Sequence, residues 1–528
     1  MTDMPLLEIL EDGVLGSSHS VSSSGTFVSV TISFAGTLPT SLEFRFNDAS
    51  PEVGRIIEVQ SVKINDRYVN TGNFLSIDSL TNGGPVAAVD INGADFIFTN
   101  SAEPAASEFT TGATQTFTTG ADYYNQRNGT ADEIFDMLAG NDQANTGSGN
   151  DKIAGGAGND TIRSGAGNDL VSGGADDDRL YGEDGNDELY GGSGADRLYG
   201  GDGDDELHGG DGNDNLVGQN GNDIITGGDG SDRVNGGSGD DDLFGDIGDD
   251  SVIGGAGNDT LDGGDGVDIV YGGIGDDHVS GGEGDDYIAG HQGVDVLNGN
   301  EGDDTIYLFA NDFEAGEVIN GGAGDDDLVL VQATTIDFTT GALFNLENLI
   351  GSGNDQDVTY SIQQALDFDD INLGGGNDTS RVNIDGTVDV TALGTPTVTN
   401  VENGFLTGST GDDDLTIDGA QLDALVFGMG GIDFDTGSDV LNLTSTSTNL
   451  NTLGATDGSI EGLETIDAST AAAAVMIDLN SQSEDFTVTG SSNNDTLTTG
   501  AGDDFVYGRD GDDAVSYTHL TLPTICSV

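Results

Sequence analysis

The chain has 528 residues, 12 Lys and Arg against 96 Asp and Glu, a formal net charge of −84 at pH 7, and an apolar share of 34%. Ordinary globular chains are about 45–50% apolar, so a wide hydrophobic core is not expected. The few basic residues are scattered, which excludes a nucleic-acid-binding surface, and no apolar run approaches the roughly 18 residues that span a bilayer.

Residues 1–100 are predicted to form a small antiparallel β-sandwich, because apolar and polar residues alternate there as in half-buried strands. The turn Asn82-Gly83-Gly84-Pro85 separates two of these strands. The segment is either a glycan- or surface-binding module or a cap on the structure that follows. The cap is favoured, because no aromatic platform stands out. The predicted strands are 27–34, 42–46, 59–64, 86–91 and 96–98.

Residues 101–136 begin with a stretch rich in Thr, Ala and Gly and are predicted to be a linker. The next domain, 137–330, is defined by a repeat of nine residues. Within it, 146–307 repeats Gly-Gly-x-Gly-x-Asp-x-aliphatic-x for 18 consecutive frames without an insertion. A disordered linker would keep this composition without keeping the phase.

The sixth position of the repeat is Asp in every frame, and one more frame follows at 321–329. The eighth position is Ile, Leu or Val in all 18 frames. We predict that the sixth-position carboxylates bind metal. They are Asp151, Asp160, Asp169, Asp178, Asp187, Asp196, Asp205, Asp214, Asp223, Asp232, Asp241, Asp250, Asp259, Asp268, Asp277, Asp286, Asp295, Asp304 and, in the later frame, Asp326.

The spacing of the repeat explains why a metal is needed. Glycines at the first, second and fourth positions allow a tight turn with positive φ, and the x-aliphatic-x triplet forms a short strand with one inward side chain. Two nonapeptides make one coil, so carboxylates 18 residues apart stack about 4.8 Å from each other and repel. Ca²⁺ is the natural counterion, because it accepts six to eight oxygens, including carbonyls.

This motif resembles the hemolysin-type calcium-binding repeats of the RTX (repeats-in-toxin) family. The resemblance implies a parallel β-roll with several Ca²⁺ ions in both rows of turns. Each ion would be held by a sixth-position Asp and by main-chain carbonyls. The fold class is therefore predicted as all-β, a parallel β-roll or β-solenoid preceded by the antiparallel β-sandwich-like domain.

The resemblance also implies where the protein works. The N-terminus lacks the basic and apolar regions of a secretory signal, whereas RTX proteins leave the cell unfolded through the type I secretion apparatus. Extracellular calcium modules need about 10⁻⁴–10⁻³ M Ca²⁺, which the cytosol does not offer. The protein is therefore expected to be secreted, with association to the cell surface as a further expectation.

Some frames depart from the consensus, and their turns are expected to bind Ca²⁺ more weakly. Asp176 replaces the fourth Gly, and the second Gly is replaced in five frames, by Glu183, Gln219, Asp246, His291 and Asn300.

Aromatic residues recur at the ninth position, and Tyr181 and Tyr199 are 18 residues apart, so their rings are expected to stack on one face. Binding of a cell-surface glycan or self-association is one interpretation of this row. Covering of the neighbouring strand edge is the other, and it is favoured.

Residues 331–489 are predicted to form a degenerate β-solenoid. Three related motifs occur there, Leu346-Glu347-Asn348-Leu349, Val401-Glu402-Asn403-Gly404 and Ile460-Glu461-Gly462-Leu463. They resemble solenoid portions of RTX surface-layer proteins and adhesins. Nonapeptide frames return at 490–514 with Asp495, Asp504 and Asp513, of which Asp504 is predicted to bind metal.

The last segment, 515–528, breaks the repeat in mid-frame and looks like an in-frame translation of a sequencing adapter. We expect Cys526, the only cysteine, to be foreign to the natural protein, and the natural gene to continue.

No catalytic motif is visible in the sequence. His-Glu-x-x-His and Gly-x-Ser-x-Gly are both absent, and His208 and His278 are expected to be solvated surface residues. A non-enzymatic structural, surface-layer or adhesin-like role is therefore predicted. The alternative is a truncated calcium-dependent exoenzyme, a hydrolase or glycan-active enzyme whose catalytic domain is missing or unrecognised.

Overall fold

A computed structural model describes residues 117–332, 335–428, 430–453 and 459–517, together with the backbone of five short strands nearer the N-terminus. The chain divides into two compact units, Met1–Ala102 and Glu103–Val528.

In the first unit the described strands pair in the antiparallel sense. Leu6–Glu11 lies between Val14–Ser20 and Leu42–Asn47 in one sheet, and Ser61–Ile64 forms a hairpin with Arg67–Asn70. Two predicted strands, 42–46 and 59–64, overlap these elements. The predicted strands at 27–34, 86–91 and 96–98 lie outside the described residues, and the sandwich stays a prediction.

The second unit is a parallel β-solenoid whose regular part has two sheets. Each nonapeptide forms a six-residue strand from its seventh position to the third position of the next frame, and positions four to six make the turn. Successive strands alternate between the sheets, so Thr161 pairs with Arg179 and Leu170 with Glu188. The predicted stacking of residues 18 apart is confirmed.

The two sheets contain, among the described residues, 15 and 12 strands. The first sheet consists, in chain order, of Tyr123–Asn125, Gln143–Ser148, Thr161–Ala166, Arg179–Asp184, Arg197–Asp202, Asn215–Asn220, Arg233–Ser238, Ser251–Ala256, Ile269–Ile274, Tyr287–Gln292, Thr305–Phe309, Asp327–Val331, Asn348–Ile350, Asp370–Asn372 and Thr397–Thr399. The second consists of Ile134–Asp136, Lys152–Ala157, Leu170–Ala175, Glu188–Ser193, Glu206–Asp211, Ile224–Asp229, Asp242–Ile247, Thr260–Asp265, His278–Glu283, Val296–Glu301, Val318–Ala323 and Ala342–Phe344.

The core between the sheets is narrow, with one aliphatic side chain from each strand. The eighth-position residues, from Ile153 to Ile306, are all buried. Neighbouring positions face outward, as the period of two in a strand requires. A core one side chain wide explains how a chain with so few apolar residues folds.

The solenoid begins earlier than the sequence predicts. Residues assigned to the linker already form the strands Tyr123–Asn125 and Ile134–Asp136, which pair with the first regular coil. Phe117, Tyr124 and Phe135 pack together at this end, with ring centroids 5.0 Å apart for Phe117 and Phe135 and 4.7 Å apart for Tyr124 and Phe135. Their rings close the end of the core, and the linker assignment does not hold from residue 117 onward.

After Thr305–Phe309 the coils become longer and carry short helices. We call 331–489 the irregular segment. It remains a parallel solenoid, as predicted, with register steps of 22 residues between Asp357 and Thr379 and 24 between Thr379 and Asn403. The helices are α1 (Ile362–Asp367), α2 (Gly419–Leu425) and α3 (Thr448–Leu453), and Phe338–Thr340 is a 3₁₀ turn.

Three further sheets complete this part. One contains Thr335–Asp337, Asp357–Ser361, Thr379–Asn383, Asn403–Thr407, Ile432–Asp433 and Ile460–Glu461, with Phe427–Gly428 beside Asn403–Thr407. Another contains Thr387–Asp389, Asp414–Ile417, Val440–Leu443, Thr465–Asp467, Thr487–Thr489 and Phe505–Tyr507. The last contains Met476–Asp478, Thr496–Thr499 and Ala514–Tyr517.

The final strand, Ala514–Tyr517, includes the first residues of the adapter-like segment. Val515 pairs with Leu497 in the backbone register, yet every side chain of the strand is exposed. The rest of that segment, 518–528, lies outside the described residues. In the described part of the chain, no helix is long and apolar enough to cross a membrane.

Candidate metal sites

The sixth-position Asp residues lie where each turn enters its strand, and they form two columns along the solenoid. All 18 predicted in the regular repeat, together with Asp326, are buried, with at most 3% of their surface exposed. Asp504, the last predicted ligand, is only half-buried. The structure therefore brings the predicted carboxylates together in two rows, with Asp504 apart from them.

One oxygen of each carboxylate is used within the fold. Oδ1 accepts a hydrogen bond from a main-chain N–H of the preceding coil, at 2.7 Å from Asp160 to Asp178 and 2.8 Å from Asp205 to Asp223. The donor is the Asp 18 residues earlier, except that Asp151 accepts from Glu133 and Asp326 accepts from Asp304, 22 residues earlier. The same bond recurs along each column, so that each carboxylate links two coils.

The other oxygen has no partner. Oδ2 is buried without a hydrogen bond in all 18 of these residues and in Asp326. A buried carboxylate oxygen without a donor is costly, because it has lost its hydration and gained nothing in exchange. Nearly twenty such oxygens in two regular rows indicate that these turns are built to bind a cation.

The first glycine of the frame makes room for this oxygen. A Cβ added to Gly227 would lie 2.6 Å from Oδ2 of Asp232, and a Cβ added to Gly245 would lie 2.7 Å from Oδ2 of Asp250. Real Cβ atoms do not come this close, so the carboxylate occupies the space left by the missing side chain.

The fourth glycine is required by the stacking of turns. Gly221 has φ of +132°, and a Cβ there would collide with the carbonyl oxygen of Gly203 in the preceding coil. Main-chain carbonyl oxygens thus lie close to the next turn, beside the columns of carboxylates. Such carbonyl oxygens are the second kind of ligand that a Ca²⁺ site in these turns would use.

The electrostatic environment disfavours the free carboxylate ions. Burial raises the pKa of Asp178 to about 8 and that of Asp214 to about 6; main-chain hydrogen bonds oppose this, and neighbouring carboxylates add to it. The ion pair between Arg381 and Asp357 lies outside both columns. Near neutral pH these carboxylates therefore need either protons or bound cations.

The donor set fits Ca²⁺. Within the described ranges, no group of three or more His, Cys, Asp or Glu side chains could hold a metal by itself. A cation in these turns would take one carboxylate from a turn and complete its shell with carbonyl oxygens. Ca²⁺ accepts such an irregular shell of oxygens, whereas Zn²⁺ prefers His and Cys.

The turns that depart from the consensus have the same backbone conformation as their neighbours, although a residue with a Cβ is strained in it. The φ angle is +76° at Asp176, +79° at Glu183 and +87° at Gln219, a region that side chains with a Cβ disfavour. The sixth-position Asp carboxylates of these frames are nevertheless placed as in the other frames. The predicted weaker binding at these turns stays a prediction, with backbone strain as its physical reason.

Several buried carboxylates were missed by the sequence analysis. Asp142, Asp378 and Asp439 also have a buried Oδ2 without a partner, as does Asp495, which was placed in a frame but not predicted to bind metal. A Gly two residues before the Asp, in Gly140-Asn141-Asp142 and Gly376-Asn377-Asp378, was a usable signal. It was overlooked because the second Gly or the following aliphatic residue is absent from these frames.

The fifth position was also missed. Its Asn or Asp side chain accepts the N–H of the fifth residue in the next coil, for example from Asn168 to Asn150 at 3.2 Å and from Asn258 to Asp240 at 2.8 Å. These bonds run along the exposed rim of the turns. They explain why a position with no apparent preference is so often Asn or Asp.

The aromatic rows stack as predicted. The rings of Tyr181 and Tyr199 are parallel with centroids 5.0 Å apart, and the Arg163 guanidinium lies 4.3 Å from the Tyr181 centroid. The prediction for His208 was wrong, because its ring is buried, stacks on Tyr190 and lies 3.0 Å from a Glu206 carboxylate oxygen. A ninth position on this sheet is covered by its neighbours in adjacent coils. His278 is exposed, as expected.

Comparison with protein families identifies the repeat. The model of the RTX calcium-binding nonapeptide repeat (4 copies) matches residues 138–171, 172–207, 208–243, 244–279, 271–306 and 487–517. No curated protein matches the chain. The two matched regions contain the regular columns and the last frames, whereas most of the irregular segment lies between them.

Proposed function

We propose that this chain, whose residues 138–306 and 487–517 are RTX calcium-binding nonapeptide repeats, folds on binding extracellular Ca²⁺ and has a structural, surface-layer or adhesin-like role. The observation that carries the proposal is the double column of buried Asp residues, each with one unpartnered oxygen. Such columns are unfavourable without a cation and favourable with one.

The net charge makes calcium binding and folding one event. A formal charge of −84 opposes compaction, because the carboxylates repel each other in the folded coil more than in the open chain. Cations that bind only the folded turns remove this repulsion and contribute their binding free energy to folding. The chain would therefore be open where Ca²⁺ is scarce and folded where it is abundant.

This dependence on calcium supports a secreted protein. Proteins with RTX repeats are typically secreted, and extracellular Ca²⁺ reaches the concentrations at which low-affinity modules are filled. Export through the type I secretion apparatus is part of the proposal, because an unfolded chain is what such a route requires. Association with the cell surface belongs to the proposal in the same way.

A structural role is favoured over catalysis by what the carboxylates already do. Those in the columns each hold a main-chain N–H from the coil before, so they are part of the scaffold and are not free acid–base groups. The solenoid runs through the described residues from 123 to 517. An extended, rigid calcium-loaded surface is the property that a surface-layer protein or adhesin uses.

Circular dichroism of the full chain tests the calcium dependence. In excess chelator we expect little β signal, and a cooperative gain as Ca²⁺ reaches millimolar concentrations, with Mg²⁺ unable to replace it. Mg²⁺ is the control because it demands a near-ideal octahedron and gives up its water reluctantly. A full β signal in chelator, or equal recovery with Mg²⁺, would contradict the proposal.

The structural role has its own test. We expect the calcium-loaded chain to sediment with bacterial cell envelopes or to assemble into ordered arrays visible by electron microscopy, and to lose both properties in chelator. If the chain stays monomeric and unbound but hydrolyses a chromogenic ester, peptide or glycoside, the exoenzyme interpretation replaces this one.

A further inference from the structure

Three carboxylate pairs lie in or at the start of the irregular segment, between the regions that the family model matches. Each pair consists of a buried Asp at the sixth position of a turn and a Glu from the next coil. The pairs are Asp326 with Glu347, Asp378 with Glu402, and Asp439 with Glu464.

In each pair the Glu occupies the place that an Asp occupies in the regular columns. The main-chain N–H of the Asp donates to Oε2 of the Glu, at 2.9 Å for Asp326, 2.7 Å for Asp378 and 2.7 Å for Asp439. The partners are 21, 24 and 25 residues apart, which is one coil of the irregular segment. The longer Glu side chain ends each column of Asp residues.

This arrangement corrects one of the sequence motifs. Glu347 and Glu402 are the Glu residues of the first two predicted motifs, but the third pair uses Glu464, whereas the motif placed Glu461 at this position. Glu461 lies on the strand Ile460–Glu461, and its main-chain oxygen accepts the N–H of Phe434. The third motif therefore does not lie in the same register as the first two, because successive coils differ in length.

The Asp of each pair has an unsatisfied oxygen. Asp326, Asp378 and Asp439 are fully buried at 0% exposure, and Oδ1 of each accepts a main-chain N–H from the coil before, at 2.8, 2.7 and 2.7 Å. Oδ2 of each is buried with no hydrogen-bond partner. The second carboxylate of each pair adds a further negative charge beside this oxygen.

Asp413 shows that the irregular segment can satisfy a buried carboxylate without a cation. Its Oδ1 accepts the N–H of Gly386 at 2.6 Å, and its Oδ2 accepts the N–H of Ser409 at 2.7 Å. The three pairs have no such second donor. Asp413 and Asp439 are adjacent in one column, yet they differ in their hydrogen bonds. Both oxygens of Asp413 accept a main-chain N–H, whereas Oδ2 of Asp439 has no donor.

The sequence around the pairs contains little basic charge. Between Arg233 and Arg509 the sequence has a single Lys or Arg, Arg381, and its guanidinium is bound to Asp357 at 2.7 Å. Burial, together with the charge of Glu402, raises the pKa of Asp378, and burial with Glu464 does the same for Asp439. A small cation is the remaining way to hold two carboxylates together.

We propose that these three Asp–Glu pairs bind divalent cations of the calcium class and extend cation-dependent folding into the irregular segment. The pairs of Asp378 and Asp439 are further sites, and Glu347 is a second carboxylate at the site of Asp326. Each site combines a buried Asp oxygen with a Glu from the next coil. Glu402 and Glu464 are exposed, so water can enter and complete the oxygen shell. The inference rests on the proposed calcium function of the regular repeats.

Hydrogen exchange of the full chain, followed by mass spectrometry over a range of Ca²⁺ concentrations, tests the sites. The variants are Glu402→Gln and Glu464→Gln, because the amide oxygen can still accept the Asp N–H while the charge is lost. We expect the calcium midpoint for protection to rise about tenfold around 370–417 for E402Q and around 432–478 for E464Q, the range seen when a ligand's surroundings are altered. The midpoint of 146–307 should stay unchanged.

Two controls separate charge from shape. Glu461→Gln is the matched control, because Glu461 is exposed, lies three residues from Glu464 and takes no part in a pair. It should leave every midpoint unchanged. Glu402→Asp keeps the charge and shortens the side chain, so it should retain more calcium response than E402Q even if both variants lose some protection.

The outcomes distinguish this inference from the proposed function. Unchanged midpoints in E402Q and E464Q, full protection of 370–478 in chelator, or a larger loss in E402D than in E402Q would overturn the sites at Asp378 and Asp439 while the regular repeat keeps its calcium dependence. If 146–307 is itself fully protected in chelator, the proposed function fails as well.

Discussion

At the scale of single residues, the two oxygens of each sixth-position carboxylate have different roles. Oδ1 joins coils by accepting a main-chain N–H, and Oδ2 faces the turn without a donor. An Asn in the same place would keep the first role, because its amide oxygen can accept the N–H. It would lose most of the second, because a neutral amide oxygen is a weaker cation ligand than a carboxylate.

The double substitution Asp223→Asn and Asp241→Asn tests this division. The two residues are adjacent in one column, with the Asp223 N–H 2.8 Å from Asp241 Oδ1. We expect the calcium midpoint of the surrounding coils to rise by about tenfold or more, while coils near 152–193 keep theirs, because solenoid stability is a sum over neighbours. Local hydrogen exchange measures both.

The matched control is Asp211→Asn with Asp229→Asn. These residues pair in the backbone register and are 18 apart, but both are exposed at the third position of the frame. This double variant should change the calcium midpoint neither of the surrounding coils nor of the coils near 152–193. Loss of the whole roll in D223N/D241N would contradict the additive picture.

At the scale of elements, side-chain hydrogen bonds join successive coils of the irregular segment, where the regular part uses a repeated turn. Gln421 on α2 is fully buried, and its Nε2 donates to the carbonyl oxygens of Val390, Leu393 and Gly394 at 2.9, 3.0 and 3.1 Å. The same side chain accepts the N–H of Asp418 at the start of the helix. One amide thus fixes the helix against the loop of the preceding coil.

Replacement of Gln421 by Glu is expected to destabilise this region strongly. The change removes the donor and places a carboxylate against three carbonyl oxygens, so the local free energy of unfolding should fall by about 3 kcal/mol or more. Hydrogen exchange of 387–425 in saturating Ca²⁺ measures the loss. Gln363→Glu, an exposed change on α1, should have little effect. Equal effects of the two variants would show that the amide network contributes nothing.

At the scale of the whole molecule, charge decides when the chain can fold. The pKa of sixth-position Asp residues is raised from 3.8 in the open chain to about 6 at Asp259 and about 8 at Asp250, mainly by burial. A carboxylate whose pKa is higher in the folded state stabilises that state when it is protonated. Its contribution is complete below pH 3.8 and is lost as the pH rises through 6 to 8.

Protons should therefore replace calcium in part. In chelator, we expect the β signal of the full chain to increase when the pH falls from 8 to about 5. When Ca²⁺ is present, a lower pH should weaken calcium binding. The calcium midpoint should rise as the pH falls, because protons compete for the same oxygens. Circular dichroism titrations at several pH values measure both. A β signal in chelator that is independent of pH would contradict the assignment of these buried carboxylates.

The regular coils could be predicted residue by residue because their period is constant. A frame of nine residues fixes which side chains stack, so the register between Asp160 and Asp178 follows from counting alone. Counting fails once coils vary in length: the motif that contains Glu461 resembles those of Glu347 and Glu402, but Glu464 is the residue in the equivalent position. It also fails for burial, since His208 is covered by Tyr190 from the preceding coil.

The sequence by itself determined the ligand class and the coil. Both are local, because the glycines, the Asp and the inward aliphatic residue of a frame act within nine residues and repeat without change. Only the tertiary structure decided which carboxylate oxygens stay without a partner, and where Glu takes the place of Asp. Those features depend on contacts between coils, which differ in length in the irregular segment. The spacing of residues within one coil does not predict such contacts.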